Sequence, residues 1–145
     1  MAERQPIDIL LVEDDENDIL ITKRAFTKHN LSNRLYVVRD GEEALDFIYH
    51  RGGYQDPESA PRPGLVLLDI NMPKMNGIEV LRKLKSDPGY KVIPIVMLTT
   101  SKRDQDKIES YNLGVNSYII KPVDFNKFVD AIATINLYWE LNELP

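Results

Sequence analysis

Short apolar runs recur along this chain, and each ends in a residue with chemical use. Leu11-Val12 leads into Glu13-Asp14-Asp15, Leu67-Leu68 into Asp69, Val96-Met97-Leu98 into Thr99-Thr100, and Ile119-Ile120 into Lys121-Pro122. Runs that are apolar throughout, rather than alternating, belong to strands buried on both faces. The pattern predicts strands over 7–12, 34–38, 65–68, 93–98 and 117–120. Between them, apolar residues recur at helical spacing. One helix is predicted over 16–30, with Ile19, Leu20, Ala25 and Phe26 inward. A second covers 41–51 with Ala44, Leu45 and Ile48 inward. A third covers 77–86, capped by Asn76, with Ile78, Leu81 and Leu84 inward and Pro88-Gly89 as its stop. A fourth covers about 103–112. The last follows Pro122, with Asp124 as N-cap and Phe125, Phe128, Val129, Ile132, Ile135 and Trp139 in a stripe. Strand and helix thus alternate five times. Right-handed crossovers make a parallel sheet covered on both faces the natural solution, a single-domain α/β (βα)5 three-layer sandwich.

One stretch breaks the rhythm. Gly52, Gly53, Pro57, Pro61, Pro63 and Gly64 mark 51–64 as a surface loop, longer than an ordinary connection. No internal repeat interrupts the remaining pattern.

Composition narrows the functional classes. The chain has 145 residues, 43% of them hydrophobic, enough for one domain with a real core. A net charge of −5 gives no general reason to bind nucleic acid and suits a cytoplasmic protein. Lys83, Lys85, Lys91, Lys102 and Arg103 read as solvated charges. Cysteine is absent, which excludes disulfides, a thiol nucleophile and zinc–cysteine sites. The start has no apolar signal core, and no apolar stretch approaches membrane-spanning length. His29 and His50 read as helix-surface residues without zinc-ligand spacing.

The polar residues that end the strands carry the chemistry. Open α/β sheets place their sites beyond the carboxyl ends of the strands. Glu13, Asp14, Asp69, Thr99 and Lys121 all fall there, although they span most of the chain. Three carboxylates brought together repel one another without a cation, and their oxygens favour Mg²⁺. Asp15 reads as the cap of the first helix. Asp69 is the candidate nucleophile, since a carboxylate can attack phosphorus and become an acyl phosphate. Such a reaction needs donors around the moving oxygens, which the Thr99 hydroxyl and the Lys121 ammonium can supply. Pro73 and Gly77 turn the loop after Asp69 tightly, where a backbone carbonyl can complete a cation shell. Tyr118 lies on the other strand face from Lys121 by parity, and Thr100 reads as lining the access to the site. The isomer of the Lys121-Pro122 bond is left open by the residues themselves.

Four segments carry a resemblance: LLVEDD at 10–15, LLDINMPKMNG at 67–77, VMLTTS at 96–101 and SYIIKP at 117–122. In their order and spacing the chain resembles a CheY-like response-regulator receiver domain of two-component signalling, with a core over about 7–135. The resemblance implies a flavodoxin-like fold with strand order 2-1-3-4-5 and a cis Lys121-Pro122 bond. It implies that Glu13 and Asp14 organise Mg²⁺, with Mn²⁺ able to substitute, and that Asp69 accepts the phosphoryl group. Asn71 then supplies a metal-ligating backbone carbonyl, Thr99 the switch hydroxyl, Lys121 the phosphate-binding charge and Tyr118 the switch aromatic. No output domain is expected after the last helix, only a C-terminal helical extension. The long loop and the terminal LYWELNELP are similar to those of small response regulators that pair with bacterial or cyanobacterial phytochrome kinases.

The expected function is that of a stand-alone response regulator, a phosphoacceptor rather than a conventional enzyme. It takes its phosphoryl group from a sensor histidine kinase, with a bacteriophytochrome the narrower expectation. The switching face is formed by the predicted fourth helix, the fifth strand and the last helix. Tyr138, Trp139, Leu141 and Leu144 extend that face and suit a homodimer. No nucleic-acid or membrane partner is expected. The alternatives are a phosphorelay intermediate and a phosphorylation-independent binding module. A haloacid-dehalogenase-like phosphatase is disfavoured, because position 71 is Asn where that chemistry uses a second aspartate.

Overall fold

A computed structural model of the chain describes residues 7–72, 74–100, 115 and 117–134. Five strands form one sheet: β1 (Ile9–Val12), β2 (Leu35–Val38), β3 (Leu65–Asp69), β4 (Ile95–Thr99) and β5 (Ser117–Ile120). All pair in parallel, in the order β2-β1-β3-β4-β5. The helices are α1 (Glu16–Lys28), α2 (Gly41–Tyr49), α3 (Gly77–Lys85) and α4 (Phe125–Thr134). The helix expected over about 103–112 lies outside the described residues, as do Ile135, Tyr138, Trp139, Leu141 and Leu144.

Strand parity divides the core into two layers. Leu10, Val12, Val66, Leu68, Ile95 and Met97 face α2 and α3 residues such as Leu45, Ile48, Leu81 and Leu84. Ile9, Leu11, Leu65, Leu67, Val96, Leu98 and Ile119 face Ile19 and Phe26 of α1 and Phe128 and Ile132 of α4. Phe26 and Phe128 meet with ring centroids 4.8 Å apart, which ties the two helices of that layer together. Burial of every β1, β3 and β4 residue accounts for the unbroken apolar runs.

Three local expectations change. Leu20 of α1 is 45% exposed, and Ile19, Thr22 and Phe26 form the inward row instead. Leu20 is a third of a turn from that row, and Thr22 tolerates burial because its hydroxyl donates to the Asp18 carbonyl at 2.8 Å. The stretch 51–64 is anchored rather than merely superficial. It holds a short 3-10 turn (Gly52–Tyr54), Tyr54 packs edge-on against Phe47, and Ala60 is fully buried. His50 belongs to that anchor: it ends α2 in the left-handed region at φ 57°, and its Nε2–H donates to the Ala60 carbonyl at 2.7 Å. His29 is half-buried and stacks on Phe125 with centroids 3.7 Å apart, joining α1 to α4.

Candidate functional site

Sheet register brings the strand ends level. Val12 lies between Val38 and Leu68, Asp69 beside Leu98, and Thr99 beside Ile120. Single backbone bonds carry the register one step past the strands. Glu13 N–H donates to the Val38 carbonyl at 3.0 Å, and Lys121 N–H to the Thr99 carbonyl at 2.8 Å. Glu13 continues the row of Ile9 and Leu11, Asp69 that of Leu65 and Leu67, and Lys121 follows Ile119. All three therefore point to the α1/α4 face at the carboxyl edge of the sheet. Thr99 continues the row of Ile95 and Met97 on the opposite face.

Lys121 is the centre of the site. Its Nζ lies 2.6 Å from Glu13 Oε1, 3.0 Å from Asp18 Oδ2 and 3.1 Å from Asp69 Oδ1. Glu13 is 1% exposed and Asp69 3%. Burial alone works against charge on Lys121, but hydrogen bonds to Glu13 and Asp18 and the nearby Asp69 outweigh it and hold the ammonium above its ordinary range. Burial pushes the Glu13 carboxyl up to about 7 despite Lys121, with the Asp69 charge adding to the rise. Burial likewise raises Asp69, while Lys121 pulls it back.

Asp18 is the residue that sequence reasoning missed. Asp15 caps α1 as expected, accepting from Asp18 N–H at 3.0 Å. Asp15-x-x-Asp18 looks like a capping box, in which the second acid would reach back to the cap N–H. Here Glu13 Oε2 takes that N–H, at 3.2 Å, and the Asp18 carboxylate goes to Lys121 instead. The signal was present only as a helix-capping pattern that already explained both acids.

The loop after Asp69 is pressed against the strand end. A Cβ at Gly77 would sit 2.2 Å from the Asp69 carbonyl oxygen, and one at Gly41 2.3 Å from that of Met75. Only glycine permits these approaches. Lys74 takes a positive φ of 64° and pairs with Asp40, whose carboxylate also caps α2. Asn71 is exposed, and its backbone N–H bonds the Asp69 carboxylate. Tyr118 is half-buried against the α2/α3 layer, Thr99 is fully buried and Thr100 is exposed. The Lys121-Pro122 bond is cis. Pro73 and Ser101 lie outside the described residues.

Glu13, Asp14 and Asp69 each offer a carboxylate oxygen, all within 4.8 Å of one another. Asp14 is exposed while the other two are buried, so the trio opens to solvent on one side. Glu13 Oε1 is buried and paired with the Lys121 ammonium at 2.6 Å. An all-oxygen set of three carboxylates, two of them buried and one open to solvent, fits a hard divalent cation.

The response regulator receiver domain model matches residues 9–133. The chain belongs to the response-regulator receiver family. It is therefore a signalling module rather than a conventional enzyme, and its acidic pocket is the kind found at this family's phosphorylation site. Relatives sharpen the comparison. The structure of the bacteriophytochrome response regulator RtBRR superimposes with a TM-score of 0.87 at 44% identity, over 93% of this chain and 81% of that one. The response regulator Rcp1 of Synechocystis is 39% identical over 90% of this chain and 87% of its own. A solved form of Rcp1 contains Mn²⁺ and superimposes with a TM-score of 0.72 over 92% of this chain and 94% of that one. The probable methanogenesis regulatory protein FilR2 of Methanothrix harundinacea is 41% identical over 92% of this chain and 84% of its own. Among the described residues, no helix is long and apolar enough to cross a membrane.

Proposed function

We propose that this receiver accepts a phosphoryl group on Asp69 from the phosphohistidine of a cytoplasmic sensor kinase and signals through the resulting change in packing. The observation that carries the reading is the meeting of Lys121 with buried Glu13 and Asp69 beside exposed Asp14. Asp69 uses a carboxylate oxygen to attack phosphorus. The P–N bond to the donor imidazole breaks, its electron pair stays on nitrogen, and an acyl phosphate forms. Glu13, Asp14, Asp69 and the Asn71 carbonyl would hold a divalent cation, proposed as Mg²⁺ with Mn²⁺ able to substitute, which would supply positive charge against the phosphoryl oxygens. Lys121 holds its ammonium at the nucleophile and neutralises the incoming charge. Thr99 donates its hydroxyl to a phosphoryl oxygen, and Tyr118 follows on the same face of the sheet. Attack by water on phosphorus later returns the carboxylate.

A bacteriophytochrome is the proposed kinase, on the likeness to RtBRR. FilR2, at similar identity, favours a second reading with a different sensor. The chain is also proposed to dimerise through the predicted helix over about 103–112, β5, α4 and the terminal aromatic segment. An exposed Ile120 on edge strand β5, beside a groove lined by Tyr118, Lys127 and Asp130, supports that face. The test is transfer from a radiolabelled, autophosphorylated bacteriophytochrome kinase. Label is expected on the wild type and absent from Asp69→Asn. A kinase that keeps its label beside folded wild type rejects that partner, and equal labelling of the variant rejects Asp69.

A further inference from the structure

The ammonium of Lys121 has three N–H donors, and three carboxylates surround it. Two of them have other duties in the phosphoacceptor reading, on which this inference rests. Asp69 becomes the acyl phosphate, and Glu13 belongs to the carboxylate trio that fits a cation. Asp18 stands outside that trio, yet its Oδ2 lies 3.0 Å from Lys121 Nζ across 103 residues of sequence. Its backbone is held from both sides, with its N–H on the Asp15 cap and its carbonyl accepting from the Thr22 hydroxyl. Because Glu13 occupies the Asp15 N–H, the Asp18 carboxylate is released from capping.

We infer that Asp18 is a positioning residue: it holds the Lys121 ammonium at the mouth of the site and sets how much of its charge reaches the phosphoryl group. A carboxylate in this place does two separable things. Its oxygen gives the long lysine side chain a fixed anchor on the first turn of α1. Its charge neutralises part of the ammonium and adds to the negative field that an anionic phosphodonor must enter. Asparagine keeps the shape and one acceptor oxygen but removes the charge. Glutamate restores the charge on a longer arm.

Beryllium fluoride, an anion that sits on a carboxylate as a phosphoryl stand-in, reads this without turnover. Its dissociation constant is measured by fluorine NMR in saturating Mg²⁺. Asp18→Asn is expected to bind the fluoride about threefold to tenfold more tightly than wild type, the scale of one screened charge at this range. Asp18→Glu is expected to return within about twofold of wild type, by the same charge argument. Should the Asn variant not fold, Asp18→Gln, an uncharged acceptor on the longer arm, is expected to shift affinity in the same direction relative to Asp18→Glu. A merely structural role predicts the reverse, a loosened lysine and weaker binding. Equal or weaker binding by a folded uncharged variant, or binding by Asp18→Glu as tight as by Asp18→Asn, overturns the inference. No fluoride binding by wild type removes the phosphoacceptor reading and this inference with it. Binding by wild type with no response at position 18 removes this inference alone.

Discussion

Replacing Glu13 with Gln should make the metal-free protein more stable, and only at neutral to alkaline pH. Glu13 is 1% exposed, and its carboxyl is raised from 4.5 to about 7, chiefly by burial. The unfolded chain gives up this proton near 4.5, while the native state keeps it until about 7. Between those values the native state binds more protons, so stability falls as pH rises, and the whole penalty is present above about 7. At about 1.4 kcal/mol per unit, the shift corresponds to a penalty of about 3 kcal/mol. Gln removes the titration and keeps the volume. The rise to about 7 is already net of the Lys121 attraction, so the expected gain is the whole of about 3 kcal/mol, or about 9 °C in Tm for a domain of this size. The assay is thermal and urea unfolding with EDTA at pH 5 and pH 8. The gain should be clear at pH 8 and nearly gone at pH 5. Added Mg²⁺ should shrink it, because binding stabilises the wild type more than the variant. A loss of stability at pH 8, or an equal gain at both pH values, would mean that the buried Glu13 charge is not a net cost to the fold.

Three further changes probe the scaffold around the site. Gly77→Ala places a methyl group 2.2 Å from the Asp69 carbonyl oxygen; we expect a loss of about 2 kcal/mol or more by urea unfolding, together with slower phosphorylation. Asp15→Ala removes the α1 cap and should cost about 1 kcal/mol, with faster amide exchange confined to the first turn of α1, where Asp18 sits. Phe128→Ala empties a fully buried position against Phe26 and should cost about 3–5 kcal/mol in the same unfolding assay, whatever the pH.

Legibility followed burial. β1, β3 and β4 are buried along their whole length, so their apolar runs could be read directly, and the polar residue closing each run marked the carboxyl edge. Strand order came from the family resemblance rather than from any residue, because crossover rules leave several orders open. Glu13, Asp14, Asp69 and Lys121 were legible because each ends a strand. Asp18 was not, since it lies inside a helix, where an acid in the first turn already has an ordinary explanation in the helix dipole. Leu20 misled because hydrophobicity suggested burial where helical phase put it outside. His50 and the loop over 51–64 misled for the opposite reason. Glycine and proline mark a turn, but they do not report that Ala60 inserts beneath it and that a histidine holds the Ala60 carbonyl.

Everything proposed for the site depends on whether the carboxylate at the end of β3, among Glu13, Asp14 and Lys121, is a phosphoacceptor. Intact mass spectrometry after incubation with phosphoramidate tests it most directly, with and without Mg²⁺. Wild type is expected to gain one phosphoryl group, dependent on Mg²⁺, mapped to Asp69, released by hydroxylamine and absent from Asp69→Asn. Folded wild type that stays unmodified in Mg²⁺, or a phosphoryl group carried equally by Asp69→Asn, would contradict it.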